Sequence, residues 1–320
     1  MRRISTATKV VDKFGVGKPG FTNGNAVSGI AATDLEDVWF DHVQEEIANV
    51  VEASGQTLDP NDRTQLLAAI QSMFSPVVGT VRNLSMSVSA ASASATMSAD
   101  EIIVATALNG RTYRLASFSK TINLATTGAG GMDTGTAPVS GFVALYAIFN
   151  PTTGASALLA KNATSAVQPN VYGGANMPAS YTASALVSVW PTNASGQFVG
   201  AGQVEREVSI ATSNVLTTST VQASLTSFSA GGVLPLNART CRGDFTIGSS
   251  TASAGANAVL SGSPSEIGRV AIGATSATAG ATTVVSYSHI AIQTPQTLYY
   301  RAAVSGGTLN FLINVTAYTF

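Results

Sequence analysis

Charge thins out abruptly at residue 76. The first 75 residues carry ten acidic and six basic side chains, whereas the 245 residues from Pro76 to Phe320 carry seven acidic and ten basic. An ordinary globular domain is charged at roughly a quarter of its positions, so the long tract must stay in solution through Ser, Thr, Asn and Gly. That is the composition of a β-rich, fibre-like or adhesive body behind a small, conventionally charged helical segment. Much of the 45% apolar content is alanine. Alanine lets backbones approach closely but buries little area per residue, so an extended body of this kind needs burial between subunits.

A net charge of −1, with the basic residues after Pro76 scattered singly, gives no general attraction to nucleic acid or to an anionic membrane. No run approaches the 18 or so apolar residues that span a bilayer. After Met1-Arg2-Arg3 the stretch Ile4–Lys9 is too polar for the core of a signal peptide. These features predict no nucleic-acid partner, no membrane insertion, and synthesis and folding in the cytoplasm. The single cysteine, Cys241, cannot close an intrachain disulfide. It reads as a small apolar side chain in a strand, with a reactive thiol as the alternative.

Along the chain, residues 1–32 form a glycine-rich arm with turns at Gly15–Gly20 and Asn23-Gly24. Thr33 with Glu36 has the spacing of a capping box, and Leu35, Trp39, Val43, Ile47 and Val50 follow at helical period up to Gly55. Asp59-Pro60 offers a second helix start, with Leu66, Leu67, Ile70 and Phe74 as its apolar stripe and Ser75-Pro76 as its end. From Val77 the period falls to two: Leu84, Met86 and Val88 alternate with Ser85, Ser87 and Ser89. Strand-like runs continue at 101–104, 112–115, 143–149 and 186–190. A second set follows at 208–210, 233–236, 245–247, 270–272, 284–292, 297–302 and 309–318. The predicted fold is mainly β. An arm and helical hairpin (1–76) precede two antiparallel β-sandwich-like domains at 77–205 and 206–320, divided at the charge cluster Glu205-Arg206-Glu207. The C-terminal strand is expected to be pinned rather than frayed.

Residues for catalysis are sparse. His42 and His289 fall in different predicted domains, and with one cysteine they build no zinc set, no Cys-His pair and no Ser-His-Asp triad. No catalytic residue, metal or cofactor is therefore expected. Lys18 is followed by Pro19, which removes Gly15–Gly20 from consideration as a phosphate loop. Glu205 and Glu207, two apart on a strand, would share one side at about 7 Å, between the separations of retaining and inverting glycosidases. A polysaccharide-cleaving activity thus stands as the alternative to a solvated junction. Aromatic residues gather late in the chain, and Tyr299 and Tyr300 must point to opposite faces of a strand. Tyr287, His289, Tyr299 and Tyr300 are the candidate receptor contacts.

The chain resembles the tail-fibre proteins of tailed bacteriophages and prophages. The resemblance rests on Arg3–Thr6, Phe14–Phe21, Gly29–Thr33, Trp39-Phe40, Gln44–Val50 and Thr64–Ile70. It continues in the body at Ser119–Gly128, Val143–Ile148 and Asn176-Met177-Pro178, and is looser after residue 203. It implies a homotrimer attached to the baseplate or other tail proteins through its N-terminal part, with Phe14, Phe21, Trp39 and Phe40 as candidate attachment residues. It also implies a distal β domain that contacts a bacterial surface receptor, glycan or protein, and no enzymatic activity in most members. Such a protein is made in the host cytoplasm and resides in the virion or in a related bacteriocin particle.

Overall fold

The change of hydrophobic period is also the division between two compact units, 1–75 and 76–320. The structure, a computed structural model, describes residues 2–74 and 76–320. Met1 and Ser75 lie outside the described residues, and with Ser75 so does half of the expected Ser75-Pro76 break.

In the first unit the arm leads into α1 (Asp37–Ala53) and α2 (Gln65–Met73). Isolated bridges between Val10 and Gly20 and between Asn25 and Ile30 fold the arm into two small loops. Gly24 is needed where it stands: its φ is +75°, and a Cβ would lie 2.6 Å from the Ala32 backbone nitrogen. The expected capping box does not form. Helix α1 starts one turn later, with Glu36 as an extended N-cap that makes no side-chain cap bond. The Glu36 carboxylate instead accepts the Ser5 N–H at 2.9 Å and the Ser5 hydroxyl at 3.1 Å. The Thr33 hydroxyl accepts the Thr22 N–H at 2.9 Å and donates to the Thr8 carbonyl at 3.3 Å. The arm thus supplies the partners that the first helical turn would have used. Asp59-Pro60 likewise opens a turn and not α2. Asp59 accepts the Asn61 N–H at 2.9 Å and Asp62 accepts the Thr64 N–H at 2.8 Å, local bonds that compete with helix formation.

The second unit is all β. Its strands are β1 (Val81–Arg82), β2 (Ser85–Val88), β3 (Ser94–Ala105), β4 (Thr112–Asn123), β5 (Phe142–Phe149), β6 (Ser156–Asn162), β7 (Ala183–Pro191) and β8 (Ala201–Val204). There follow β9 (Glu207–Thr218), β10 (Gln222–Ser229), β11 (Thr240–Ser249), β12 (Gly255–Ser261), β13 (Val270–Thr275), β14 (Thr282–Ala291), β15 (Thr297–Val304) and β16 (Leu309–Thr319). One sheet of 12 strands runs β14-β11-β16-β9-β8-β2-β3-β7-β5-β6, with β1 and β4 also paired to β3, and a sheet of four runs β10-β15-β12-β13. Every strand pairing is antiparallel. At residue 205 the ladder is continuous, because β8 and β9 form a hairpin in which Val204 pairs with Glu207 and Glu205-Arg206 make the turn.

Burial follows the sequence pattern in β2, where Leu84, Met86 and Val88 are buried and the intervening serines exposed. Strands β5 and β7 are buried on both faces, as their unbroken apolar runs require. Residues 233–236, expected as a strand, form a turn instead. The Val233 and Leu234 N–H groups both bond the Ala230 carbonyl, at 3.0 and 2.8 Å, and Pro235 has no N–H to give to a ladder. The largest core side chains carry polar tips, and these find partners. Trp190 Nε1 donates to the Val199 carbonyl at 2.9 Å, the Tyr146 hydroxyl to Pro169 at 2.8 Å and the Tyr318 hydroxyl to Val189 at 2.7 Å. The Tyr318 bond joins the last strand to β7, so the end of the chain is tied into the middle of the body.

Candidate functional site

The first unit buries very little of itself. Its buried hydrophobic residues are Ile4, Val51 and Ala69, while it holds 14 of the 22 exposed large apolar side chains found among the described residues. Val16 is 93% and Val27 98% exposed at the two loops of the arm. On α2 and just beyond it, Leu67, Ile70 and Phe74 follow one another at helical spacing and are all exposed. A nine-residue helix is not stable on propensity alone, and contiguous apolar exposure of this kind marks an interaction surface. The arm and α1 meet at an aromatic cluster. Phe21 lies edge-to-face on Trp39 at 5.1 Å, and Trp39 on Phe40 at 5.1 Å, with Phe40 47% exposed. Three of the four candidate attachment residues are thus brought together. Phe14 sits on the loop closed by Val10 and Gly20, exposed, with the Lys13 ammonium 5.7 Å from its ring.

The four candidate receptor contacts separate in the second unit. Tyr287 and Tyr300 are core side chains. The Tyr287 hydroxyl donates to the Asn314 carbonyl at 2.7 Å, and the Tyr300 ring stacks on Phe311 at 5.6 Å. Alternation decides this: Leu298, Tyr300 and Ala302 of β15 face the 12-stranded sheet, where Phe311 and Phe245 wait, and Tyr299 faces outward. His289 is exposed with φ +52°, at a bulge where β14 inserts an extra residue opposite β11. It borders a crevice with Glu207, Thr240 and Arg242. Tyr299 and His289 therefore sit on different sheets. Cys241 is buried beside Tyr287, and burial pushes its thiol up to about 12, which fits an inert core residue.

Around Tyr299 lie charged residues that the sequence reading passed over. Arg301, two residues on, shares its face of β15, and its Nε donates to Glu266 at 2.8 Å. Arg269 donates to the other carboxylate oxygen at 2.5 Å. Glu266 has φ +58°, a backbone state uncommon for a residue with a side chain. The Arg301 hydrogen bond, with a further contribution from Arg269, holds its carboxyl below the ordinary value against a smaller opposing effect of desolvation. Beside this clamp an open depression of about 580 Å³ has Gly255, Asn257, Gly273, Thr275, Ala303 and Ser305 among its lining residues. The signal available in the sequence was Tyr299-x-Arg301 at strand period, in a tract where charge is rare.

Glu205 and Glu207 do not form a carboxylate pair on one strand. Glu205 occupies the β8–β9 turn with φ +51°, and Glu207 begins β9 and pairs with Arg242 at 3.0 Å. In this turn Arg206 folds back on Phe320, its guanidinium 4.5 Å over the ring and its Nε 2.9 Å from the carbonyl oxygen.

No family model matches the chain. Over 74 residues of its N-terminal region, 23% of its length, the chain is 51% identical to "Uncharacterized protein StfP" of Escherichia coli (strain K12). It spans 35% of the length of that relative. Among solved structures, a Bacillus thuringiensis Cry1Da tryptic core variant aligns over 77% of this chain and 53% of its own. That alignment has a TM-score of 0.16 and 8% identity. No helix among the described residues is long and apolar enough to cross a membrane.

Proposed function

We propose that the chain is a structural tail-fibre protein of a phage or of a related bacteriocin particle. Its first unit attaches to the tail, and its β body reaches a bacterial surface receptor. The observation that carries this reading is the concentration of exposed apolar side chains on the small first unit, Phe14 and Phe40 among them, with Phe40 at the open end of the half-buried Phe21-Trp39 pair. That unit is joined to a body that is all β and poor in charge. The resemblance at Phe14–Phe21, Trp39-Phe40 and Gln44–Val50 supports the same assignment. In this reading the protein is a homotrimer with no catalytic role, and the receptor-binding part is residues 206–320.

Sedimentation of the full chain at micromolar concentration tests the assembly. A species of three chains is expected, and a stable folded monomer would refute it. Cleavage of surface polysaccharide has no geometric support at Glu205 and Glu207, since one lies in a turn and the other is paired with Arg242. The double variant Glu205→Gln with Glu207→Gln is expected to adsorb to cells and support infection within about twofold of the parent. Loss of a glycan-clearing halo in that variant, with adsorption intact, would establish the enzyme instead.

A further inference from the structure

On the outer face of the four-stranded sheet a half-buried aromatic ring, Tyr299, a three-residue ionic clamp and an open groove coincide. Strand register fixes the layout. Ser227 of β10, Tyr299 of β15 and Ser261 of β12 form one row, and Arg301, Val259 and Ala271 form the next. Ala303, Asn257 and Gly273 form the third row. The third row and the strand ends beyond it carry the depression of about 580 Å³, within the size range of small-ligand sites. Glycine and alanine make up most of its lining, with the exposed side chains of Asn257, Thr275 and Ser305 as its polar groups.

From these observations we infer that this face binds an anionic saccharide, with Tyr299 as a stacking platform, Asn257 as a hydroxyl partner, and Arg301 with Arg269 holding a carboxylate or phosphate group. The inference rests on the tail-fibre reading and names the ligand class for its receptor-binding part.

Three points of physical chemistry lead there. Partly exposed ion pairs contribute little to folding stability, and Arg269 and Arg301 remain 47% and 31% exposed, so stability alone does not account for two arginines converging on one carboxylate. Glu266 engages one nitrogen of each guanidinium, and a guanidinium carries five N–H donors in a planar fork suited to carboxylate and phosphate. Two arginines against one glutamate leave a net positive charge beside the groove. Finally, Glu266 is held at φ +58°, the kind of local strain that collects at ligand sites; its carboxylate pre-orders both arginines for an incoming anion.

The test is titration calorimetry of the full chain with three probes: an oligogalacturonate, the neutral galactose oligomer of the same length and a phosphorylated mannose oligomer. At least one anionic probe should bind tenfold or more tightly than the neutral one, and which of them does so separates carboxylate from phosphate recognition. Arg301→Gln and Tyr299→Ala should each weaken that binding about tenfold, whereas His289→Ala, on the other sheet, should leave it unchanged. Because Arg301→Gln also breaks the bond from Arg301 to Glu266 in the 262–269 loop, Gly273→Trp serves as a second variant. A Cβ at Gly273 meets nothing within 4 Å, so the indole can fill the groove without disturbing the clamp and should abolish binding at an unchanged melting temperature. Equal affinity for neutral and anionic probes, absence of binding to all three, or binding unaffected by Arg301→Gln would overturn the inference. Adsorption of the parent and of Arg301→Gln to host cells distinguishes the two levels. If both adsorb equally, the fibre reading stands and this site falls.

Discussion

Removing Leu309–Phe320 should leave no folded body. Strand β16 lies between β11 and β9 and bonds both along most of its length, so its loss strips two ladders at once and strands β11 and β14 from the rest of the sheet. It also removes Leu309, Phe311, Ile313, Val315 and Tyr318, all buried to within 2%. At about 1.5–3 kcal/mol for each large apolar side chain buried, the five sum to about 8–15 kcal/mol, as large as the whole stability of a typical domain, about 5–15 kcal/mol. The Tyr318 bond to Val189 goes with them, so the damage reaches β7, far away in sequence. The check is near-ultraviolet circular dichroism and thermal melting of residues 76–320 beside residues 76–308. The shorter chain should be insoluble or lack a cooperative transition, and a transition within a few degrees of the longer one would show that the C-terminal strand is dispensable.

The pinning of the C-terminus was legible in the sequence, because 309–318 is a long alternating run that ends at the chain terminus. So were the break near residue 76 and the strands built from bulky residues, such as Val143–Phe149 and Leu186–Trp190. Strands made mostly of small residues were not: β10, with the sequence QASLTSFS, and β12, with GANAVLS, carry too few β-branched or aromatic residues to announce a strand. They are ordered by tertiary pairing with β15. The run at 233–236 has strand composition but follows two glycines and contains a proline, and its apolar residue Leu234 is buried from within a turn. At the candidate sites, sequence alternation established that Tyr299 and Tyr300 face opposite ways. Which one is outside depends on where the second sheet lies, and that is a property of the whole fold. The Glu266 clamp unites residues 35 positions apart through a loop and a strand, a long-range juxtaposition that local spacing cannot encode.

The capping box at Thr33 and Glu36 failed for a reason that bears on function. Both side chains are used to hold the arm against the start of α1, through Ser5, Thr8 and Thr22, and the arm in turn places Phe21 on Trp39. The arm is therefore built into the first unit as half of its aromatic surface. Deleting residues 2–32 should remove that half and expose Glu36 and Trp39 while leaving the whole sequence of the second unit in place, and the body's melting transition is expected to be unchanged.

Electron microscopy of tailed particles assembled with either the full chain or the 2–32 deletion, labelled with antibody against residues 76–320, tests the central claim most directly. The account predicts label on fibres at the tail with the full chain, and a loss of at least tenfold in labelled fibres with the deletion, while the free truncated protein stays folded. Absence of label from particles carrying the full chain, or normal fibre occupancy with the deletion, would contradict it.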